Sequence, residues 1–250
     1  MTANILEIED LSVSFSGFRA LNQLNFALQE GELRVIIGPN GAGKTTFLDI
    51  ITGKTKPTTG RIRYKNRPLG KQAEYEIARL GVGRKFQTPR VFLELTVREN
   101  LELSYAKHKG LYTALRTRRS SGDRPEIDEL IKTVGLVAKS EMKAGLLSHG
   151  EKQWLEIGML VAQSPELLLL DEPVAGLSDA ERELTADLLN RLASQHTLIV
   201  IEHDMEFVRR IARHVTVLHE GSVLCEGSLD EVRHNPRVIE VYLGSQEQTA

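Results

Sequence analysis

The chain has 250 residues, 41% of them hydrophobic and 26% charged, with a formal net charge of −2. That length supports one large domain or two small ones with a real core, and the near-neutral charge excludes the global basic field of a nucleic-acid or anionic-membrane binder. A single cysteine, Cys225, excludes an internal disulfide framework and suits a reducing compartment; within the apolar run SVLCEG it reads as a small core residue. The opening MTANILEIED is acidic and lacks a long apolar stretch, unlike a secretory leader. The most apolar runs, LLLL and TLIVIEH, fall far short of the ~20 residues that cross a bilayer.

In chain order, ILEIEDLSVSF and RALNQLNFALQ alternate apolar and polar residues and predict antiparallel strands with one buried face. GELRVIIG is a continuous apolar strand; a glycine-rich turn follows it, then the helix KTTFLDIIT. GRIRYKN predicts a short strand, KQAEYEIARLG a helix and VGRKFQ another strand. From about Pro89 the pattern turns helical. TVRENLELSYAKH opens with a Thr96-x-x-Glu99 capping box, YAKHKGLYTALRTRRSSGDRP reads as a basic solvated loop, and EIDELIKTVGL is a further helix. From Pro165 onward apolar strands alternate with helices: ELLLLDEP, SDAERELTADLLNRLAS, TLIVIEH, DMEFVRRIA, HVTVLHEG and SVLCEGS. A helical tail, SLDEVRHNPRVIEVYLG, is broken at Pro236. Buried parallel strands with crossover helices predict an α/β core interrupted by a helical insertion.

The turn GPNGAGKTT, Gly38 to Thr46, matches GxxxxGK[ST] between a strand and a helix. Glycines let successive backbone N–H groups face inward, and the helix N-terminus adds its positive end, so the turn is a phosphate cradle. Asn40, Gly41, Gly43, Lys44, Thr45 and Thr46 are its candidate nucleotide-binding residues, with Lys44 for the β- and γ-phosphates and Thr45 for Mg²⁺. In LLLLDEP, Asp171 emerges at the end of a buried strand, placed to hold the Mg²⁺ shell. Glu172, next in sequence, can orient and deprotonate a water for attack on the γ-phosphate; Pro173 argues against a helix starting on the two carboxylates.

With these motifs in order, the chain resembles the ATP-binding-cassette (ABC) ATPases over nearly its whole length. Phe15 fits the aromatic that stacks on adenine, Gln87 in RKFQTP the glutamine between core and insertion, LSHGE the family signature, and His203 in VIEHD the switch histidine. The resemblance implies an α/β P-loop NTPase fold with a RecA-like core, an N-terminal antiparallel β-subdomain and an inserted helical subdomain. One ATPase domain would fill 1–250, with the core and β-subdomain in 1–88 and 164–250 and the helical subdomain in 89–163. ATP and Mg²⁺ are the implied cofactors. Gln87 would serve the catalytic site and the metal, His203 would position the attacking water, and Ser148 and Gly150 would complete the nucleotide site of an opposing subunit.

The implied partners are a second ATPase subunit, two integral membrane permease subunits and, indirectly, an extracytoplasmic solute-binding protein, with no nucleic acid. The implied location is the cytoplasmic face of the plasma membrane, reached through the permeases. A cytosolic ABC ATPase acting on ribosomes or DNA would show paired cassettes, a long coiled coil or basic surfaces, which this sequence lacks. GRKFQTPRVF, ELTVRENLEL and NPRVIEVYLG resemble the branched-chain amino-acid and urea importer branch. LSHGEKQWLEIGML, DEPVAGLSDAE and VTVLHEGSVLCEGSLDEV look most like the urea importer's ATPase subunit, with a branched-chain amino-acid importer as the alternative.

Two departures from the family pattern stand out. Ser178 replaces a common Asp but starts a Ser178-x-x-Glu181 capping box. In the signature, His149 replaces a glycine, so no positive φ is required there, and Glu151 replaces a glutamine. A carboxylate ~5 Å from a phosphate charge costs about 3 kcal/mol at an effective dielectric of ~20. A Ser148-x-x-Glu151 capping box would turn it away.

Overall fold

The structure, a computed structural model, describes residues 3–85, 90–109 and 124–247. The two alternating segments pair as β1 (Asn4–Phe15) and β2 (Phe18–Gln29), antiparallel. With β4 (Thr59–Tyr64) and β5 (Arg67–Pro68) they form a four-stranded antiparallel sheet in the order β2-β1-β4-β5. The alternation in β1 slips at Glu9 and Asp10, where the register shifts and Asp10 takes a φ of 45°; a bulge of this kind re-aims the strand.

The continuous apolar runs become the second sheet. It contains β3 (Leu33–Ile37), β6 (Val82–Lys85), β7 (Leu167–Asp171), β8 (Thr197–Ile201), β9 (His214–His219) and β10 (Ser222–Gly227), in the order β10-β9-β3-β8-β7-β6. All pairs are parallel except β9 with β10. Its central strands lack alternation because both faces are covered. Leu168, Leu170, Leu198 and Val200 join one apolar cluster with the helices, while Leu167, Leu169, Ile199 and Ile201 join another with the antiparallel sheet. Residues of period two thus serve two cores at once.

The helices are α1 (Lys44–Ile51), α2 (Glu74–Arg79), α3 (Val97–Lys109), α4 (Pro125–Thr133), α5 (His149–Val161), α6 (Asp179–Leu192), α7 (Met205–Ile211), α8 (Leu229–Arg233) and α9 (Pro236–Glu247). The Thr96–Glu99 box opens α3, with both reciprocal bonds made. Val97 and Leu101 of α3, Ile127 and Ile131 of α4, and Leu155 of α5 bury together in the first cluster.

Two expectations are corrected. The basic loop expected from Tyr105 overlaps the helical reading that runs to His108, and α3 takes the overlap, continuing to Lys109; helical hydrogen bonding propagates residue by residue past the charges once nucleated. The rest of that stretch, 110–123, lies outside the described residues. Cys225 is only half-buried at the margin of the core, because β10 is an edge strand. No helix among the described residues is long and apolar enough to cross a membrane.

Candidate active site

Three loops leave the same end of the parallel sheet. The cradle follows β3, Asp171 and Glu172 end and follow β7, and His203 follows β8. Register aligns them, since Ile36 pairs with Ile201 and Ile201 with Asp171. In such sheets ligands bind beyond the carboxyl ends of the strands.

The cradle ends at Gly43, which caps α1 with a φ of 98°. A Cβ there would lie 2.7 Å from the Ala20 carbonyl oxygen, so backbone sign and space both require glycine. The amides of the first turn of α1 have no intrahelical acceptor, which suits an anion. Asn40, Gly41 and Thr45 are exposed on the cradle, with Thr46 partly buried behind them. Lys44 lies in the cradle, its Nζ donating to the carbonyl oxygens of Gly38 at 2.6 Å and Pro39 at 2.9 Å. Burial lowers the Lys44 pKa, opposed by the negative charges of Glu172 and Asp171. The lysine and both carboxylates therefore share one electrostatic neighbourhood.

Asp171 is 5% exposed, and its Oδ2 accepts from Nη2 of Arg84 at 3.2 Å. Burial raises its pKa despite Arg84, so a further positive charge beside this carboxylate is favoured. A desolvated carboxylate and the Thr45 hydroxyl are hard oxygen donors of the kind Mg²⁺ takes, and the residues present fit that ion. Arg84 also bonds Asp49 of α1, tying β6 to the helix of the cradle.

Glu172 holds a left-handed φ of 46°. For a non-glycine residue this is a strained conformation that surrounding contacts must fix; its amide donates to the Ile201 carbonyl at 3.0 Å. The Glu172 carboxylate lies 3.5 Å from Nδ1 of His203, whose side chain is exposed. The next residue, Asp204, caps α7, its side chain accepting from the amides of Glu206 and Phe207. Phe15 stands at the exposed end of β1, 48% accessible. Gln87 lies outside the described residues.

Ser148 and Gly150 belong to a different neighbourhood. Ser148 caps α5, and the reciprocal box is complete: the Glu151 amide donates to the serine oxygen, and the Ser148 amide to Oε2 of Glu151 at 2.9 Å. The other oxygen of Glu151 pairs with Lys139 at 2.5 Å. Burial pushes the Glu151 carboxyl up, but Lys139 and the Ser148 amide outweigh it and the net shift is downward. The carboxylate is thus turned onto its own helix start. Gly150 leaves room for Glu181, whose Oε1 would sit 2.5 Å from an added Cβ. His149 is the first residue of α5 and is absent from the described non-glycine residues of positive φ. Ser178 caps α6 through its own box with Glu181.

Sequence reasoning missed Arg84, Asp49, Lys85, Glu156 and Glu202. Charged residues within VGRKFQ, read as a strand beside a buried one, were the available signal for Arg84 and Lys85.

A family model described as ABC transporter matches residues 21–175, and one described as branched-chain amino acid ATP-binding cassette transporter matches residues 222–248. The chain is 37% identical to the high-affinity branched-chain amino acid transport ATP-binding protein BraF of Pseudomonas aeruginosa, over 98% of this chain and 99% of that one. It also resembles the crystal structure of the ADP conformation of an ATP-binding cassette of an ABC transporter, with a TM-score of 0.82, 29% identity, and 97% and 100% of the two chains covered. A dimeric post-hydrolysis cassette bound to ADP and Pi matches with a TM-score of 0.72 at 26% identity, over 90% of this chain and 98% of that one.

Proposed function

The chain belongs to the ABC transporter family as an ATP-binding subunit with ATPase activity, and from that premise we propose that it energises a branched-chain amino-acid importer. The observation that carries the ATPase chemistry is the convergence of Lys44, Asp171, Glu172 and His203 at one end of the parallel sheet. The match of residues 222–248 and the likeness to BraF support the branched-chain amino-acid reading. The narrower urea reading rests on the sequence resemblance alone and finds no support in these relatives.

In this reading the 250 residues act as one ATPase domain, with the nucleotide-binding core in 1–88 and 164–250 and the helical part in 89–163. Phe15 stacks on adenine. Asn40, Gly41, Gly43, Lys44, Thr45 and Thr46 surround the phosphates with backbone amides, an ammonium and hydroxyls. Thr45, Asp171 and Gln87 hold Mg²⁺, which when bound neutralises phosphate charge. Glu172 takes a proton from the attacking water and His203 orients it; their separation of 3.5 Å lets both reach one small molecule. Ser148 and Gly150 act at the nucleotide of a second ATPase subunit, as in a head-to-tail dimer. Two permease subunits hold the ATPase at the cytoplasmic face of the membrane, and an external solute-binding protein acts on them indirectly from the opposite side.

The test is Glu172→Gln. Turnover should fall about 10²–10⁴-fold, the contribution of a positioned general base, with ATP binding retained. Unimpaired hydrolysis would overturn the assignment. For the solute, ATP turnover by the assembled transporter should rise with solute-binding protein loaded with leucine and not with urea; the reverse would restore the urea reading.

A further inference from the structure

His149 departs from the signature glycine, and the chemistry above gives it no task. Its imidazole lies against the loop that follows Glu172. A Cβ on Gly176, which has a φ of 73°, would stand 3.6 Å from both Cδ2 and Nε2 of the ring. One turn further along α5, Gln153 is wholly buried, at 0% exposure. Its Nε2 donates to the Ala175 carbonyl oxygen at 3.1 Å and lies 2.9 Å from Nε2 of His149.

The two contacts fix each other's chemistry. A carbonyl oxygen only accepts, so the Gln153 atom facing Ala175 is the amide nitrogen. The imidazole nitrogen beside that same amide is then the acceptor, which makes His149 the neutral tautomer with its proton on Nδ1. The remaining polar atom of Gln153, Oε1, is buried with no hydrogen-bond partner among the described residues. A buried acceptor left unpaired is costly, and an apolar side chain would avoid that cost; what the amide adds is its two N–H groups. Ala175 carries their hold to the base. Its amide donates to the Glu172 carbonyl oxygen at 3.2 Å, while its own carbonyl is held by Gln153. On the other side of the loop the Val174 amide donates to Oε1 of Glu202, itself 1% exposed, at 3.1 Å. The left-handed φ of Glu172 persists only where such contacts over-determine it.

We propose that His149 and Gln153 are positioning residues for Glu172: together they fasten the loop 173–177 to the start of α5 and so fix the place of its carboxylate. Gln153 makes the bond to the loop. His149 takes the second N–H, which holds the amide in the orientation that serves Ala175, and its ring covers Gly176. The proposal rests on the reading of Glu172 as the general base. A displacement of about 1 Å in a reacting group costs up to ~10²-fold in rate.

The direct tests use the full-length chain without nucleotide. In ¹⁵N NMR at neutral pH, Nε2 of His149 should be the unprotonated nitrogen and Nδ1 the protonated one; a proton on Nε2 would overturn the proposal. Hydrogen exchange then reads the loop at the Ala175 and Leu177 amides, which donate to Glu172 and Val174. Gln153→Leu should speed both about tenfold, the equivalent of one lost hydrogen bond, with exchange at Ile199 unchanged. His149→Phe keeps a ring over Gly176 but offers no acceptor, and should speed both about threefold, a partial loss of that bond. His149→Gln restores an acceptor and should stay within about twofold of wild type. His149 is exposed, so its two variants decide the matter even where Gln153→Leu fails to fold. Unchanged exchange in His149→Phe, or equal exchange in His149→Phe and His149→Gln, would overturn the proposal. In the assembled transporter His149→Phe should lower kcat about threefold with the KM for ATP within about twofold, a loss in the chemical step and not in binding. Because tautomer and exchange are read without nucleotide, their failure is distinct from an active Glu172→Gln, which would remove the assigned base instead.

Discussion

The Ser148 hydroxyl donates to Oε1 of Glu181 across 3.2 Å, joining the N-termini of α5 and α6. Glu181 meanwhile accepts from the Ser178 amide and hydroxyl through its other oxygen. One carboxylate therefore serves two helix caps, and Gly150 is the space in which it does so. Bonds from the Ser178 amide and hydroxyl, outweighing burial, hold the Glu181 carboxyl below its usual range. A depressed carboxyl contributes stability above its unfolded pKa, ~4.3, and loses it as pH falls through the folded value. Glu181→Gln should therefore unfold at lower urea than wild type at pH 7, and the gap should close as the pH falls below about 4, the model carboxylate value. A gap independent of pH would show that the charge is not what matters. Ser178→Ala, which deletes the cap oxygen, should cost about 1 kcal/mol.

Glu151→Gln should leave ATP turnover within about twofold, since the Glu151 carboxylate is committed to Ser148 and Lys139. Glutamine keeps an oxygen for the Ser148 amide. The measurement is turnover of the assembled transporter beside a urea midpoint. A marked tightening of ATP affinity would mean that the carboxylate faces phosphate after all.

Arg84→Met should destabilise the chain by about 3–5 kcal/mol, because it leaves the buried carboxylate of Asp171 without its guanidinium partner, while half-buried Asp49 keeps Lys54. Arg84→Lys should recover only part of this, since a point ammonium cannot serve two carboxylates with the spread of a guanidinium. Urea unfolding of the three chains checks both statements.

Gly43→Ala should cost about 2–4 kcal/mol, combining a left-handed φ of 98° with a Cβ 2.7 Å from the Ala20 carbonyl. Nucleotide affinity should fall with it, because relief of the clash reorients the first amides of α1. Thermal unfolding with and without ATP reads both effects.

What was legible in the sequence was local. The GxxxxGK[ST] turn, the continuous strands and the capping boxes at Thr96, Ser148 and Ser178 are each set by residues within one short stretch of chain. The charge networks were not legible. Arg84 meets Asp171 across 87 positions and Asp49 across 35, and nothing in their neighbourhoods announces the pairing. VGRKFQ predicts a strand and nothing of where its charges point; β6 is an edge strand, and the Lys85 side chain turns inward to Glu156. The helical reading TVRENLELSYAKH and the loop reading from Tyr105 overlap at Tyr105–His108, and α3 runs through that overlap to Lys109.

The register across β3, β8 and β7 has a thermal consequence. Cradle, carboxylates and histidine hang on strands whose residues are almost wholly shielded from water, the class of element that opens only with the whole molecule. Inactivation on heating should accordingly track the cooperative melting curve and not precede it. A one-residue slip of β7 would turn Asp171 to the opposite face, so bulky changes among Leu167–Leu170 should abolish hydrolysis at temperatures where the rest of the chain still gives a folded circular-dichroism spectrum.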